Sequence, residues 1–333
     1  MVTTSTKGAG QQTGSATGRR GAILIAGPTA SGKSALAMAL ARQCGGVIVN
    51  TDSMQVYRDL RIVTARPSIA DERAAPHLLY GHVDGSIAYS AGRFVREVEE
   101  TVLSKVASDV VPIFVGGTGL YFDALLGGLS PIPDIPSEIR ARWRAASDAG
   151  AVADLHRALA ARDPVMANRL PPGDRQRIVR ALEVIEGTGR SLAEWQKEPG
   201  RPLLDAAEVI KIRLTGTRGQ LYARSDARFD AMMEAGALDE VARLAARGLS
   251  DELPIMRALG VPSLMKLSAG LVSYVEAIDQ AKRQTRQYIK RQLTWQNARM
   301  QHWMTLDVSE NYNFDGADFQ NLFLELTPGM HRF

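Results

Sequence analysis

The chain has 333 residues, 45% of them hydrophobic, a formal net charge of +4 and one cysteine, Cys44. That length and apolar content allow one large domain or two ordinary ones with a substantial core, and no stretch reaches the length of a membrane-spanning helix. A lone cysteine excludes an internal disulfide framework and suits a reducing, cytoplasmic setting, and the modest net charge says less than its distribution.

Residues 1–20 are rich in Gly, Ser, Thr and Gln and carry neither an acidic residue nor an apolar core segment. They read as a disordered tail rather than a secretory signal, with a transit peptide as the alternative. The apolar run Ala22–Ala26 predicts a buried parallel strand. It leads into Gly27-Pro28-Thr29-Ala30-Ser31-Gly32-Lys33-Ser34, which fits the phosphate-cradling pattern G-x-x-x-x-G-K-[ST]. Gly27 and Gly32 let backbone N–H groups reach phosphate oxygens. The helix predicted over Ala35–Ala41 adds its positive dipole end, Lys33 adds a point charge, and the Ser34 hydroxyl can hold Mg²⁺. Cys44 follows this helix with no histidine near it, so it reads as core or surface filler.

A second strand over Gly46–Asn50 ends at Thr51-Asp52-Ser53. Asp52 there can be a metal ligand, a helix cap or a general base. His77 and His82 lie close together but lack cysteine or acidic partners at metal spacing, so no zinc site is expected. A helix is predicted over Ala91–Ala107, then a strand over Val110–Val115 that runs into Gly116-Gly117-Thr118-Gly119. This rhythm predicts a parallel, doubly wound sheet, with the phosphate loop, Asp52 and Thr118 converging at the strands' carboxyl ends. Many phosphate-loop enzymes close an apolar strand with a magnesium-binding carboxylate; here Val110–Val115 ends without one.

Pro131, Pro133 and Pro136 stop the α/β pattern, and residues 137–197 read as helices only, rich in arginine. Pro171-Pro172-Gly173-Asp174 starts a new helix, and Glu208–Leu214 resumes the strand pattern. The expected organisation is an α/β phosphate-loop core of residues 21–131 and 208–333, flanked by helices and interrupted by a helical insertion of residues 132–207. Between Asp279 and Asp307 lies a helix whose only charges are basic: Lys282, Arg283, Arg286, Lys290, Arg291 and Arg299. Ile289 and Leu293 give it one stripe to bury. The remainder is either a solvated face or a surface for nucleic-acid phosphates.

The segments GPTASGKS, NTDSMQVYRDL, TARPS, APHLLYGHVD, YSAGRF, PIFVGGTGLYFDALLGGLSPIP, DRQRIVRALEVIEGTGRS and RQLTWQNAR occur in this order between Ala22 and Leu306. Together they resemble the tRNA dimethylallyltransferases (tRNA isopentenyltransferases) of the bacterial type, without the zinc-finger extension of the eukaryotic form. The resemblance implies transfer of a dimethylallyl group from dimethylallyl diphosphate to N6 of the adenosine at position 37, beside the anticodon, by a monomeric cytoplasmic enzyme using Mg²⁺.

On that resemblance Gly27–Ser34 hold the donor diphosphate together with Arg224, with Arg228 as the alternative, and Ser34 holds the metal. Asp52 accepts the proton of the attacking amine, and Thr118 stands near the reacting centre. The tRNA anticodon stem-loop is implied to touch four places. These are Asp52-Ser53-Met54-Gln55 with Thr118, Arg140, Gln176-Arg177-Ile178-Val179-Arg180, and Arg257-Ala258-Leu259-Gly260-Val261-Pro262. In the last segment Val261-Pro262-Ser263 replaces the tyrosine and basic residue of many relatives. From the residues alone, two other functions stay open: an ATP-dependent small-molecule kinase, and a nucleotide-gated RNA-binding module in which Asp52 is only a cap. The acid-free end of the Val110–Val115 strand speaks against the kinase.

Overall fold

Six short strands decide the architecture. A computed structural model describes residues 21–309; the expected tail of residues 1–20 and the end of the last segment lie outside the described residues. In chain order the first half comprises β1 (Ala22–Ala26), α1 (Lys33–Cys44), β2 (Val47–Asn50), α2 (Ile69–Ala74), β3 (His77–Leu78), α3 (Ala91–Glu97), β4 (Pro112–Gly116) and α4 (Gly119–Gly127). The arginine-rich stretch forms α5 (Ser137–Ala149), α6 (Val152–Arg162), α7 (Pro164–Arg169), α8 (Arg175–Thr188) and α9 (Leu192–Trp195). The chain then returns through β5 (Val209–Thr215), α10 (Arg218–Glu234), α11 (Ala237–Ala245), a 3-10 turn (Pro254–Arg257), α12 (Val261–Ser268), α13 (Tyr274–Arg299) and β6 (Met304–Asp307).

The strands pair in parallel in the order β3-β2-β4-β1-β5-β6. β1 has strands on both sides and is buried along its whole length, as its unbroken apolar sequence requires. Its side chains divide by the strand period of two. Ile23 and Ile25 meet Leu36 and Leu40 of α1, whereas Ala22, Leu24 and Ala26 join a core that includes Tyr121, Phe122 and Leu125 of α4. Hence the loops after the neighbouring strands β1 and β4 leave toward opposite faces, and a crevice opens between them at the carboxyl edge.

Two predicted elements differ in extent. The helix expected over Ala91–Ala107 is α-helical only to Glu97 and continues as a π-helical segment over Val98–Leu103, closed by a Ser104 N–H to Glu99 C=O bond of 3.1 Å. The strand expected from Val110 begins at Pro112, because proline has no N–H for the ladder and fits only the first position.

Helices α5 to α9 gather around a cluster of their own that includes Trp143, Leu155, Leu159, Ile178 and Leu182. The segments leading out to them and back touch at Gly128 and Gly200. A β-carbon on Gly200 would lie 2.5 Å from the Gly128 carbonyl carbon. Gly128 has φ +73°, so only glycine fits there without strain.

Three of the six basic residues of α13 face carboxylates. Arg286 bonds Asp226 at 2.8 Å and Lys282 bonds Asp230 at 2.6 Å, both acids being on α10. Arg299 lies 3.8 Å from Asp123. Arg283, Lys290 and Arg291 stay exposed, while Ile289 and Leu293 pack on Leu221 of α10 as their spacing predicts.

Candidate active site at the carboxyl edge of the sheet

The phosphate loop turns sharply out of β1. Gly27 lies so close to Ser31 that a β-carbon would sit 2.5 Å from the Ser31 Oγ. Gly32 enters α1 at φ +81°, and Ala30 holds φ +64°, a left-handed conformation that costs an alanine about 1 kcal/mol. Gly27, Pro28 and Ser31 are buried, and the Ser31 hydroxyl has no hydrogen-bond partner among the described residues. Lys33, Ser34 and Ala35 open α1, so their amides have no acceptor within the helix. Lys33 Nζ donates to Pro28 C=O at 3.1 Å. Part of its side chain meets solvent, yet the ammonium sits deep enough that desolvation, with help from Arg228, lowers its pKa to about 8 against the opposing pull of Asp52.

Asp52 stands just past β2. Asn50 fixes it: Asn50 Nδ2 donates to Asp52 C=O at 2.9 Å and Oδ1 accepts from Asp52 N–H at 2.8 Å. Asp52 Oδ1 accepts from Met54 N–H at 2.9 Å and Gln55 N–H at 3.4 Å, so this oxygen caps the next turn. No hydrogen bond among the described residues uses Oδ2. The cap and proton-acceptor readings of Asp52 are therefore compatible, one on each oxygen. Burial, with a smaller push from the Asp52 charge, raises the phenols of Tyr80, Tyr121 and Tyr288 well above their usual range.

Thr118 is laced to the same strand end. Its Oγ1 accepts from Ser53 N–H at 3.1 Å and donates to Ser53 Oγ at 3.4 Å, while its own N–H bonds Thr51 C=O at 3.2 Å. Gly116 permits this approach: a β-carbon there would lie 2.3 Å from the Thr51 carbonyl.

Beside these groups lies a cavity of about 260 Å³. Thr29, Asp52 and Arg228 form its polar end, Val63, Phe229 and Met232 an apolar wall, and Arg257, Tyr288 and Arg291 its basic and aromatic rim. A second cavity, of about 440 Å³, lies against α1 and is lined by Ser34, Arg66 and Tyr80. Of the two arginines that the sequence left open, the half-buried Arg228 reaches the first cavity, and desolvation there lowers its pKa while Asp52 supports its charge. Arg224, the one placed with the diphosphate from sequence, sends Nη1 to Val308 C=O at 3.0 Å.

The remaining sequence candidates divide. Ser53 and Met54 line the first cavity, as do Arg257, Ala258 and Leu259. Gln55 instead bonds the carbonyls of Thr64 at 2.9 Å and Ala65 at 3.1 Å, shaping the adjoining loop. Gly260, at φ +87°, packs tightly on Phe229 and Val63, Val261 is fully buried, and Pro262 sits in the first turn of α12. Gln176 and Arg177 are exposed at the start of α8, Ile178 is core, Val179 packs against that core, and Arg180 lies 3.3 Å from Glu183. Arg140 on α5 lies 3.7 Å from Asp134. None of these residues on α5 and α8 lines the cavity.

Sequence reasoning missed Glu240 and Gln292. Buried Glu240 on α11 accepts the N–H groups of Arg61, Ile62 and Val63 at 2.7, 2.9 and 2.9 Å, fixing the loop that forms one cavity wall. Gln292 on α13 accepts from Thr29 N–H at 2.8 Å and donates to Gly117 C=O at 3.2 Å. The available signal was periodicity. Thr285, Ile289, Gln292 and Gln296 follow the buried stripe of α13, and a buried amide needs partners.

A family model described as IPP transferase matches residues 55–299, and one described as isopentenyl transferase matches residues 20–78. The chain is 55% identical over 274 residues to the tRNA dimethylallyltransferase of Bradyrhizobium sp. (strain BTAi1 / ATCC BAA-1182), covering 82% of this chain and 90% of that one. It is 51% identical over 293 residues to the tRNA dimethylallyltransferase of Beijerinckia indica, covering 87% and 97%. Among solved structures it resembles the full-length tRNA isopentenylpyrophosphate transferase of Bacillus halodurans, with TM-score 0.65, 31% identity and coverage of 92% and 97%. It also resembles a eukaryotic dimethylallyltransferase acting on tRNA, with TM-score 0.77, 27% identity and coverage of 91% and 78%.

Proposed function

The chain belongs to the tRNA dimethylallyltransferase family of prenyltransferases, and from that premise we propose that it moves a dimethylallyl group from dimethylallyl diphosphate to N6 of adenosine 37 in tRNA. The observation that carries this reading is one polar edge, with Lys33 in the phosphate loop, Asp52 and Arg228 lining the adjoining cavity, and no acid closing β4. The loop amides that open α1, with Lys33 and Arg228, bind the donor diphosphate and favour the charge that grows on it.

The exocyclic amine of adenine is a weak nucleophile because its lone pair is shared with the ring. As N6 forms its bond to C1 of the donor, the C1–O bond breaks and diphosphate departs, and Asp52 Oδ2 accepts the proton lost from N6. The target base leaves its stack to enter the cavity between Asp52 and the Phe229–Met232 wall. Thr118 holds Ser53, and thereby Asp52, at fixed distance from the loop.

Ser34 fits a magnesium role: its side chain is exposed in the first turn of α1, and Mg²⁺ typically takes one or two protein oxygens and completes its shell with water and substrate phosphate. The ion, when bound, would neutralise diphosphate charge. Residues 132–207 serve as a tRNA-facing domain, for which the exposed Gln176, Arg177 and Arg142 supply polar and positive groups. No described helix is long and apolar enough to cross a membrane; we place the enzyme in the cytoplasm as a monomer.

The test uses purified protein, labelled dimethylallyl diphosphate and unmodified tRNA. Label entering the RNA supports transfer. ATP-dependent phosphorylation of a small molecule without transfer would replace this reading with a kinase, and RNA binding alone with a binding module.

A pH prediction follows from Lys33. Its pKa is lowered in the folded, unliganded protein, to about 8, so between pH 8 and its ordinary value of 10.5 the folded chain binds fewer protons than the unfolded one. This group therefore makes stability rise with pH across that window. Diphosphate binding works the other way, because it favours the charged ammonium. Above pH 8 pyrophosphate binding is expected to take up a proton at Lys33 and weaken by up to about tenfold per pH unit. Calorimetry in buffers of different ionisation enthalpy reads that uptake directly. Lys33→Ala should remove both the uptake and most of the donor affinity; unchanged donor kinetics would exclude Lys33 from the cradle.

A further inference from the structure

Helix α13 presses on this edge at three backbone positions, Thr29, Gly117 and Gly119. The Gln292 amide is 7% exposed and ends between two chain segments far away in sequence. Its Oε1 holds Thr29 N–H of the phosphate loop and its Nε2 holds Gly117 C=O of the turn before α4. One turn along the helix, Trp295 lies flat against Gly119, where a β-carbon would meet its ring at 2.4 Å. A β-carbon on Gly117 would meet Gln292 Nε2 at 2.3 Å. Thr118 is thus fixed between two glycines, each covered by a side chain of α13. On the same helix, Tyr288 and Arg291 line the neighbouring cavity.

We infer that Gln292 is a positioning residue that sets the phosphate loop against the Thr118 turn and joins the donor cradle to the wall of the acceptor cavity. The inference rests on the functional reading above. It explains why a helix rich in arginine buries an uncharged amide at this point. A lysine or arginine could not accept from Thr29 N–H, and a carboxylate could not donate to Gly117 C=O. Glutamine does both, and its amide plane also fixes which way the loop amide points. Thr29 N–H is held by Gln292 and Ser31 N–H by Pro28 C=O at 3.2 Å, while the amides at the start of α1 have no acceptor within the helix and suit an anion.

The test is Gln292→Met, which keeps the side chain's length and removes both hydrogen bonds, read by magnesium-pyrophosphate binding in calorimetry and by transfer kinetics. Pyrophosphate affinity and kcat are expected to fall by roughly tenfold or more, from two lost bonds at a preorganised site, while the KM for tRNA stays within about twofold. Gln296→Met, a change of the same kind one turn along the buried stripe, is expected to leave both within about twofold. Gly117→Ala approaches the contact from the other side: its β-carbon must push the Gln292 amide aside, so it should reproduce the pyrophosphate defect. Added to Gln292→Met it should cause little further loss.

Pyrophosphate affinity within about twofold of wild type in folded Gln292→Met would overturn the proposal, as would equal losses in Gln292→Met and Gln296→Met, which would mark a general loosening of α13. Failure of the wild-type protein to bind pyrophosphate at all would instead refute the functional reading.

Discussion

Asp52→Asn is expected to lower the rate of prenyl transfer by about two to four orders of magnitude, with tRNA affinity changed only modestly. Asparagine is the sharper of two variants because the two oxygens of Asp52 have separate tasks. An asparagine Oδ1 still accepts from Met54 and Gln55 N–H, so the cap and the local backbone survive. What disappears is an oxygen able to take a proton. Asp52→Ala removes both, and it should show the same catalytic loss plus about 1 kcal/mol of destabilisation from the missing cap. Single-turnover transfer with both variants, alongside urea titrations, separates the two contributions. Turnover of Asp52→Asn within a few-fold of wild type would leave Asp52 as a cap alone.

Gly116→Ala should give the largest loss of stability of any single-methyl change at this edge, about 3 kcal/mol or more. The added carbon would fall 2.3 Å from the backbone carbonyl of Thr51. That carbonyl cannot step aside: it accepts from Thr118 N–H, and Thr51 N–H is itself bonded to Val115 C=O at 2.9 Å. Room could be made only by parting β2 from β4, which would also separate Thr118 from Ser53. Gly127→Ala is the control. Nothing lies within 4 Å of a β-carbon at that position, which ends α4, so alanine there should be neutral or stabilising by up to about 1 kcal/mol. Chemical denaturation of both variants checks the contrast; equal midpoints would mean that the sheet yields easily at Gly116.

Much of this site was legible in the sequence because its parts are backbone motifs. The Gly27–Ser34 pattern dictates a loop shape, and apolar strands before Asp52 and Thr118 place both at sheet ends. What stayed hidden depends on helix phase and on neighbours distant in the chain. Arg224 and Arg228 differ by one turn of α10, and no local rule says which of them faces the cavity. The six basic residues of α13 read as a uniform face until Asp226 and Asp230, on a separate helix, claim two of them. Gln292 passed unnoticed, since its partners Thr29 and Gly117 lie 263 and 175 residues away. The division of α3 by a π segment also escaped, because its sequence remains compatible with an ordinary helix.

The contact between Gly128 and Gly200 has a consequence for how such a chain could change over time. A segment that leaves and returns through one narrow neck closes its own loop, so lengthening the excursion costs little, about 0.6 kcal/mol per doubling of its length. Helices α5 to α9 could therefore be lengthened, shortened or exchanged without altering the register of the sheet. Grafting the stretch between the two glycines from one relative into another is accordingly a direct test of the tRNA-facing role proposed for it above.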